Sequence, residues 1–341
     1  MLKEPDVTDR LDRRVIAALQ VNPRASIGEI GRILGEHERT VARRLHRLLT
    51  EKIVVPTAIY DALRCSMGVS THVRIQAERG TQTEVAAFLS NRQDVRLVMA
   101  IGGQSDVLWA EMITSRDTGL YALMTKDLPH VPHIDSFSAY LTIRTFMTVA
   151  EWHAPLLTEQ EVCRLRSSAI KPLPDPQDHY ELCPSDRRVA EALIRNSRIT
   201  LTDLAKELDF SVATAGRRVT SLLERRMLHL RTEVEPACLG RPNEVQLGLR
   251  VRAEGLEEVG RALARCPEVR YCAAVTGRQN LLVELCLEHE SDLYRFLVER
   301  LGTMPHIMDV ETEIIAHAYK RGSVIKDPAL PSPVADIGGG A

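Results

Sequence analysis

Aromatic residues make up only 4% of this chain of 341 residues, too few to build stacking platforms for single-stranded nucleic acid. Long apolar runs are also missing. No stretch approaches the roughly 18 residues that span a bilayer, so no membrane segment is expected. Cysteine is sparse and scattered: the seven (Cys65, Cys163, Cys183, Cys238, Cys266, Cys272, Cys286) form no C-x-x-C pair. That excludes a disulfide frame or a zinc site and points to reduced thiols in a cytoplasm. The opening MLKEPDVTDRLDRR is charged throughout, unlike a signal peptide. The sequence holds no G-x-S-x-G, no H-E-x-x-H and no P-loop, and Gly338–Gly340 lack the flanking strand and helix of a phosphate loop. HVPH (130–133) has two histidines three apart, but in a Pro-containing turn that recurs as Pro305–His306. Neither a metal nor a cofactor is expected. A net charge of −2 means that any basic surface must be local.

What is present is a globular composition, 44% apolar and 26% charged, organised by one long repeat. A shift of 174 positions lays LDRRVIAALQVNPRASIGEIGRIL (11–34) over SDRRVAEALIRNSRITLTDLAKEL (185–208). The shared points include Asp12/Asp186, Arg13/Arg187, Arg14/Arg188, Leu19/Leu193, Asn22/Asn196 and Arg24/Arg198. The same offset carries TVARRLHRLL (40–49) onto TAGRRVTSLL (214–223) and GQSDVL (103–108) onto GRQNLL (277–282). At an offset of 173, after one deleted residue, VPHI (131–134) meets MPHI (304–307). The chain reads as a tandem duplication.

Each copy has a helical half and a mixed half. Residues 8–55 and 184–230 read as helical triplets; SIGEIGRIL (26–34) opens with a capping box, Ser26 with Glu29, and places Ile27, Ile30, Ile33 and Leu34 at helical spacing. Residues 66–149 and 244–320 mix strands and helices. In the first copy the pattern predicts strands near 69–76, 95–101, 106–112 and 134–149, with helices near 81–90 and 118–128. That βαββαβ order is the ferredoxin-like split unit, so the expected class is α+β. Between the copies, 150–183 reads as a linker with a short helix capped by Thr158 and Glu161, then a stiff KPLPDPQD (171–178). The tail 328–341 is expected to be disordered.

The third helix of each triplet carries the chemistry. In HERTVARRLHRLLTEK (37–52), Val41, Leu45 and Leu48 make one apolar stripe, leaving Arg39, Arg43, Arg44 and Arg47 for the other faces. A helix seated in the major groove needs that division. Its arginines can bond a guanine edge or a phosphate, and Thr40 can add a backbone contact. Residues 36–52 hold five Lys/Arg against three Glu, a modest local excess. In the second copy Arg39, His46 and Arg47 become Ala213, Thr220 and Ser221, while Thr40, Arg43 and Arg44 persist as Thr214, Arg217 and Arg218. The second copy is therefore expected to grip phosphate less and to prefer a different half-site.

With D-R-R (12–14, 186–188), T-V-x-R-R-L-x-x-L (40–48), S-V-A-T-A-G-R-R-V (211–219) and T-G-x-x-N-L-L (276–282) in place, the chain resembles the Lrp/AsnC (feast/famine) regulators. The resemblance implies two winged helix-turn-helix domains alternating with two ferredoxin-like sensor domains of the RAM, or ACT-like, type. It implies double-stranded DNA as partner and Ser211 among the DNA-facing residues. It also implies a small effector such as an amino acid, and self-association through the sensors, both within one chain and as a homo-oligomer. A cytoplasmic, nucleoid-associated protein rather than an enzyme follows. The family's effector turn falls at Gly103 and Asp106 in copy one and at Gly277 and Asn280 in copy two. A glycine there permits a tight turn with exposed amides, and an Asp could accept an ammonium. Two departures stand out: Gly102 replaces the family's Thr, and Asn280 cannot supply the negative charge of Asp. Two other readings share this architecture. One is an architectural DNA-binding protein of low specificity. The other is a sirohaem-decarboxylase-like enzyme, which would need basic and aromatic residues around the second and third sensor strands, where the sequence offers Trp109 and Arg278.

Overall fold

The computed structural model describes residues 7–171 and 180–326. The expected spacer at 171–178 falls outside them except for Lys171, and the tail 328–341 lies wholly outside. The described residues form two compact units, one of 7–66 with 143–312 and one of 67–142 with 313–326.

The first unit holds both helical triplets. Helices α1 (Arg10–Val21), α2 (Ile27–Leu34) and α3 (Glu38–Thr50) are followed by strand β1 (Val54–Tyr60). Their core is built from Val15, Ile16, Leu19, Ile30, Val41, Leu45 and Leu48, which are the apolar stripes of the three helices. The turn from α2 to α3 is tight: a Cβ on Gly31 would lie 2.8 Å from the Glu36 carbonyl oxygen, so the close approach excludes any larger residue. Helix α6 (Glu159–Ser167), with the expected Thr158–Glu161 capping box, packs Leu165 into this same core. The segment read as a linker is thus partly a fourth helix of the first domain. Helices α7 (Pro184–Arg195), α8 (Leu201–Leu208), α9 (Val212–Glu224) and strand β6 (Leu228–Val234) repeat the arrangement.

The two triplets are bound to one another. Strands β1 and β6 pair antiparallel, from Val54 opposite Val234 to Tyr60 opposite Leu228. Each strand also delivers a side chain to the opposite core, Val234 to the first and Ala58 to the second. The exchange is reciprocal in its polar contacts. Thr57 Oγ1 donates to the Ile194 carbonyl at 2.7 Å, and Thr232 Oγ1 to the Leu19 carbonyl at 2.9 Å. Arg24 reaches the carbonyls of Ser197 and Ile199 at 2.9 and 3.0 Å, while Arg198 reaches those of Pro23 and Ala25 at 2.6 and 3.0 Å. Asn22 and Asn196 brace them, each accepting from the amide of its arginine at 3.1 and 2.9 Å. Burial lowers the pKa of both guanidinium groups, and the charge of Arg24 adds to that effect on Arg198. Four carbonyl dipoles offset the cost of bringing two cations together.

The same unit holds most of the second sensor: β7 (Asn243–Val251), α10 (Leu256–Leu263), β8 (Val269–Val275), β9 (Leu281–Leu287), a helical stretch starting with α11 (Glu290–Arg295), and the start of β10 (Ile307–Arg321). The strands run in the order β8-β9-β7-β10, the ferredoxin-like arrangement. Their core includes Leu247, Leu263, Val283 and Phe296, with Phe146 and Met147 packed against it. The second unit is built from β2 (Val69–Ala77), α4 (Gln82–Ser90), β3 (Val95–Gly102), β4 (Val107–Thr114), α5 (Gly119–Ala122) and most of β5 (Ile134–Met147). Its sheet order β3-β4-β2-β5 is again ferredoxin-like. The helix expected over 118–128 forms as α5 and a wider π-turn at Leu123–Asp127. The end of β10 adds to this sheet beside β3, pairing Ile314 with Gly102 and Arg321 with Leu97. There Lys320 is buried, and its ammonium donates to the Arg92 carbonyl at 2.7 Å.

The registers also correct the repeat. Ile75 and Val98 stand at Leu108 and Ala110, and their counterparts Leu249 and Cys272 at Leu281 and Val283. Leu108 therefore corresponds to Leu281, not Leu282. The deletion falls in the turn before β4 and β9, because the alternation of core side chains fixes which strand register is possible.

Two outcomes are expected. Arg24→Ala and Arg198→Ala each lower unfolding free energy by about 2 kcal/mol in urea titrations, as removal of charge-assisted bonds does. The double variant costs clearly less than the sum because the four bonds act as one clasp; simple additivity would show separate contacts. Burial pushes Lys320 down to about 8. Between there and its ordinary value near 10.5 the unfolded chain binds the extra proton, so this group makes stability rise with pH. Lys320→Met removes that rise from the melting curve.

Candidate nucleic-acid interface and sensor turns

Helix α3 begins at His37, whose Nδ1 accepts from the Arg39 amide at 3.3 Å. Helix α9 begins at Ser211, which accepts from the Thr214 amide at 3.1 Å and donates to the Thr214 hydroxyl at 2.9 Å. Ser211 and Thr214 thus form the cap of α9. Thr40 is half-buried at the equivalent place.

The arginines divide into two groups. Arg39, Arg43 and Arg217 are exposed and make no ion pair among the described residues. With exposed His46, Arg39 and Arg43 form a stripe at i, i+4 and i+7. Arg44 instead turns back to α1, bonding Asp9 at 2.6 Å and Asp12 at 2.9 Å. Arg47 joins it on Asp12 at 2.7 Å and on Glu51 at 3.1 Å. Asp12 is almost fully buried, so these contacts hold α3 against α1. Asp12 and Asp9 raise the Arg44 pKa, and the Asp12 amide with Arg44 draws Asp9 below the usual carboxylate range. Arg218 repeats the pair on Asp186 at 2.6 Å and lies over the Phe210 ring. The repeat's shared Asp12/Asp186 and Arg44/Arg218 are one ion pair present in both copies, 32 residues apart in each. That common spacing was the available signal for it, and a face-by-face reading of the helix alone misses it.

At the sensor turns, Gly103 and Gly277 have φ of 82° and 108°, as tight turns require. Asp106 Oδ1 accepts from the Gly80 amide at 3.0 Å. Asn280 bonds the Val251 backbone twice, accepting from its amide and donating to its carbonyl, both at 2.8 Å. An ionised carboxylate could only accept, which gives Asn280 a structural reason to differ from Asp. Asn280 thus staples its turn to the last residue of β7, and Asp106 staples its own to the loop after β2.

Two polar clusters escaped the sequence reading. In the second unit Arg74 bonds Glu313 at 3.0 Å, the Trp109 indole donates to the same carboxylate, and Tyr140 lies 5.6 Å from the Trp109 ring. In the first unit Arg270 joins Glu284 at 3.0 Å, Glu244 at 3.4 Å and Glu233 at 3.7 Å, and Arg231 pairs with Glu233. Arg231 and Arg270 also line a small polar cavity with Gln20, Trp152 and Thr232, large enough for about one water. The alternating Arg231 and Glu233 of β6, with single charges on the otherwise uncharged strands β8 and β9, were the signal for this second cluster.

Mutation separates the two kinds of arginine. Arg44→Ala should cost about 2 kcal/mol of stability by taking one of the two arginines from buried Asp12. Arg39→Ala and Arg43→Ala should stay within about 0.5 kcal/mol. Chemical denaturation of the three variants checks the division, and equal losses would refute it.

Comparison with known proteins follows the same domain lines. The family model of the AsnC-type helix-turn-helix domain matches residues 9–49, and that of a winged helix-turn-helix DNA-binding domain matches 184–227. The model of the Lrp/AsnC ligand binding domain matches residues 244–325. The proline dehydrogenase transcriptional activator of Rhodobacter capsulatus is 24% identical over 138 residues, 39% of this chain and 90% of that protein. Its namesake from Rhizobium radiobacter is 24% identical over 155 residues, 44% of this chain and 96% of that protein. These relatives are matched over about the length of one copy. The siroheme decarboxylase NirDL shares the fold over both copies, with a TM-score of 0.56 at 16% identity, covering 93% of this chain and 94% of that one. The helix-turn-helix domain of residues 9–49 and the ligand binding domain of residues 244–325 are those of the Lrp/AsnC regulators, with a second winged helix-turn-helix domain between them.

Proposed function

We propose that the chain is a sequence-specific DNA-binding transcriptional regulator whose affinity for duplex DNA is tuned by a small effector. The observation that carries this reading is the display of two recognition helices, α3 and α9, from a single unit in which β1 and β6 are paired. Exposed Arg39, Arg43 and Arg217 supply the base and phosphate contacts. Arg44, Arg47 and Arg218 contribute by fixing the angle of the helix, and Thr40, Ser211 and Thr214 sit where a phosphate approaches the helix start.

The effector belongs at the sensor turns. The exposed backbone around Gly103 suits a carboxylate, and Asp106 beside it suits an ammonium, the two ends of an amino acid. At Gly277 the amide of Asn280 is committed to Val251, so the second turn holds its strand rather than a cation. The sensors also carry self-association, and no helix among the described residues is long and apolar enough to cross a membrane. Action on DNA in the cytoplasm follows from the regulator reading. The fold shared with NirDL does not move the reading to an enzyme. On the first sensor sheet Arg74, one of the cations that could hold a carboxylate, is engaged by Glu313 and Gln104.

Selection of bound duplexes from a random library at two salt concentrations tests the proposal. A defined site should emerge. Arg39→Ala and Arg43→Ala should each weaken it about tenfold or more where they read a base. Where they neutralise a phosphate instead, the logarithmic salt slope should fall by roughly 0.9 for each one. Binding without any enriched sequence would favour an architectural protein instead.

A further inference from the structure

We infer that the two recognition helices read chemically different half-sites, so that one chain binds a non-palindromic duplex in a single orientation; this rests on the regulator reading above. Helices α3 and α9 match in length and in the placement of their buried stripes, Val41, Leu45 and Leu48 against Ala215, Val219 and Leu222. Their equivalent outward positions differ in kind. The first turn of α3 presents exposed Glu38 and Arg39; the first turn of α9 presents Val212 and Ala213. Val212 is 48% exposed at the start of its helix. Arg217 alone keeps the outward charge that Arg43 has in copy one.

These substitutions translate into base chemistry. Arginine forks onto guanine and a glutamate accepts from the cytosine amino group, so Glu38, Arg39 and Arg43 specify a half-site containing G·C pairs. Valine and alanine offer no donor or acceptor; in the major groove their complement is the thymine methyl group. A valine left in water at the groove-facing end gains by covering that methyl. The α9 half-site is therefore thymine-rich, with a guanine or phosphate contact left to Arg217. The β1–β6 register and the Arg24–Arg198 clasp bind the two helical domains into one unit, so the two readings have a fixed order along the DNA.

The test uses the full chain and its selected duplex. Wild type should enrich a two-part site with one half defined by G·C pairs and the other by thymines. Replacing thymine with uracil in the second half removes only the methyl groups, and should cost about fourfold in affinity for each methyl covered. The same replacement in the first half should cost nothing. The variant Val212→Glu/Ala213→Arg, which gives α9 the outward residues of α3, should lose the uracil effect and shift the selected site towards a palindrome. A palindromic wild-type site, or indifference to uracil in the second half, overturns this inference and leaves the regulator reading standing. Enrichment of no sequence by wild type overturns both.

Discussion

Everything in the DNA-facing unit depends on one reciprocal contact, the passage of Arg24 and Arg198 across to each other's turn. Without it the paired strands β1 and β6, a short ribbon of a kind marginal in water by itself, would rest on Val234 and Ala58 in the opposite cores and on two threonine bonds. With it, backbone carbonyls in the turn between the first two helices of one domain are satisfied by the side chain of the other. Thr57 and Thr232 extend the same exchange to the ends of α7 and α1. In a single-copy chain such contacts would have to form between two molecules. Duplication makes them intramolecular, so their strength no longer depends on protein concentration.

Duplication also frees the two copies to diverge, and the pattern of divergence follows the physics. Among the positions that match across the repeat are those that hold the structure: Asp12 with Arg44 and Asp186 with Arg218 inside each domain, Asn22 with Arg24 and Asn196 with Arg198 between them. Of the positions that differ, Glu38, Arg39 and His46 face outward on α3 and Asp106 sits at the sensor turn, while Arg47, which bonds Asp12, gives way to Ser221. Polar wiring differs as well. The ion network of Arg231, Glu233, Arg270 and Glu284 ties β6 to the second sensor, whereas Thr57 and Ile59 occupy the sites of Arg231 and Glu233 in the first copy. A buried network of that kind costs desolvation and contributes fixed geometry in return.

Much of this was legible in the sequence. The repeat, the helical triplets, the α6 capping box and the βαββαβ order all follow from periodicity and capping chemistry, which are local. What was not legible depends on partners far along the chain. Strands β1 and β6 run past the expected domain ends at 55 and 230 to Tyr60 and Val234, because each is completed by a strand from the other copy. Of the adjacent arginines Arg43 and Arg44, a stripe of apolar residues gives the side of the helix but not which one finds Asp12. The one-residue deletion was placed too late, since GQSDVL and GRQNLL look alike in sequence while the strand register that separates them is set by packing. Asp106 and Asn280 read as ligand-facing; their bonds to Gly80 and Val251 are visible only once the strands are side by side.

The central claim is that one chain offers two recognition helices as a fixed pair. Affinity measured against duplexes in which the distance between the two half-sites is increased one base pair at a time tests it most directly. A clasped pair predicts a sharp optimum that recurs only when the spacing returns to the same face of the DNA, about 10 base pairs later. The optimum should broaden when Arg24 and Arg198 are both replaced by alanine. An affinity that is indifferent to spacing in the unaltered protein would contradict the account, because it would mean that the two helical domains bind as independent modules on a flexible tether.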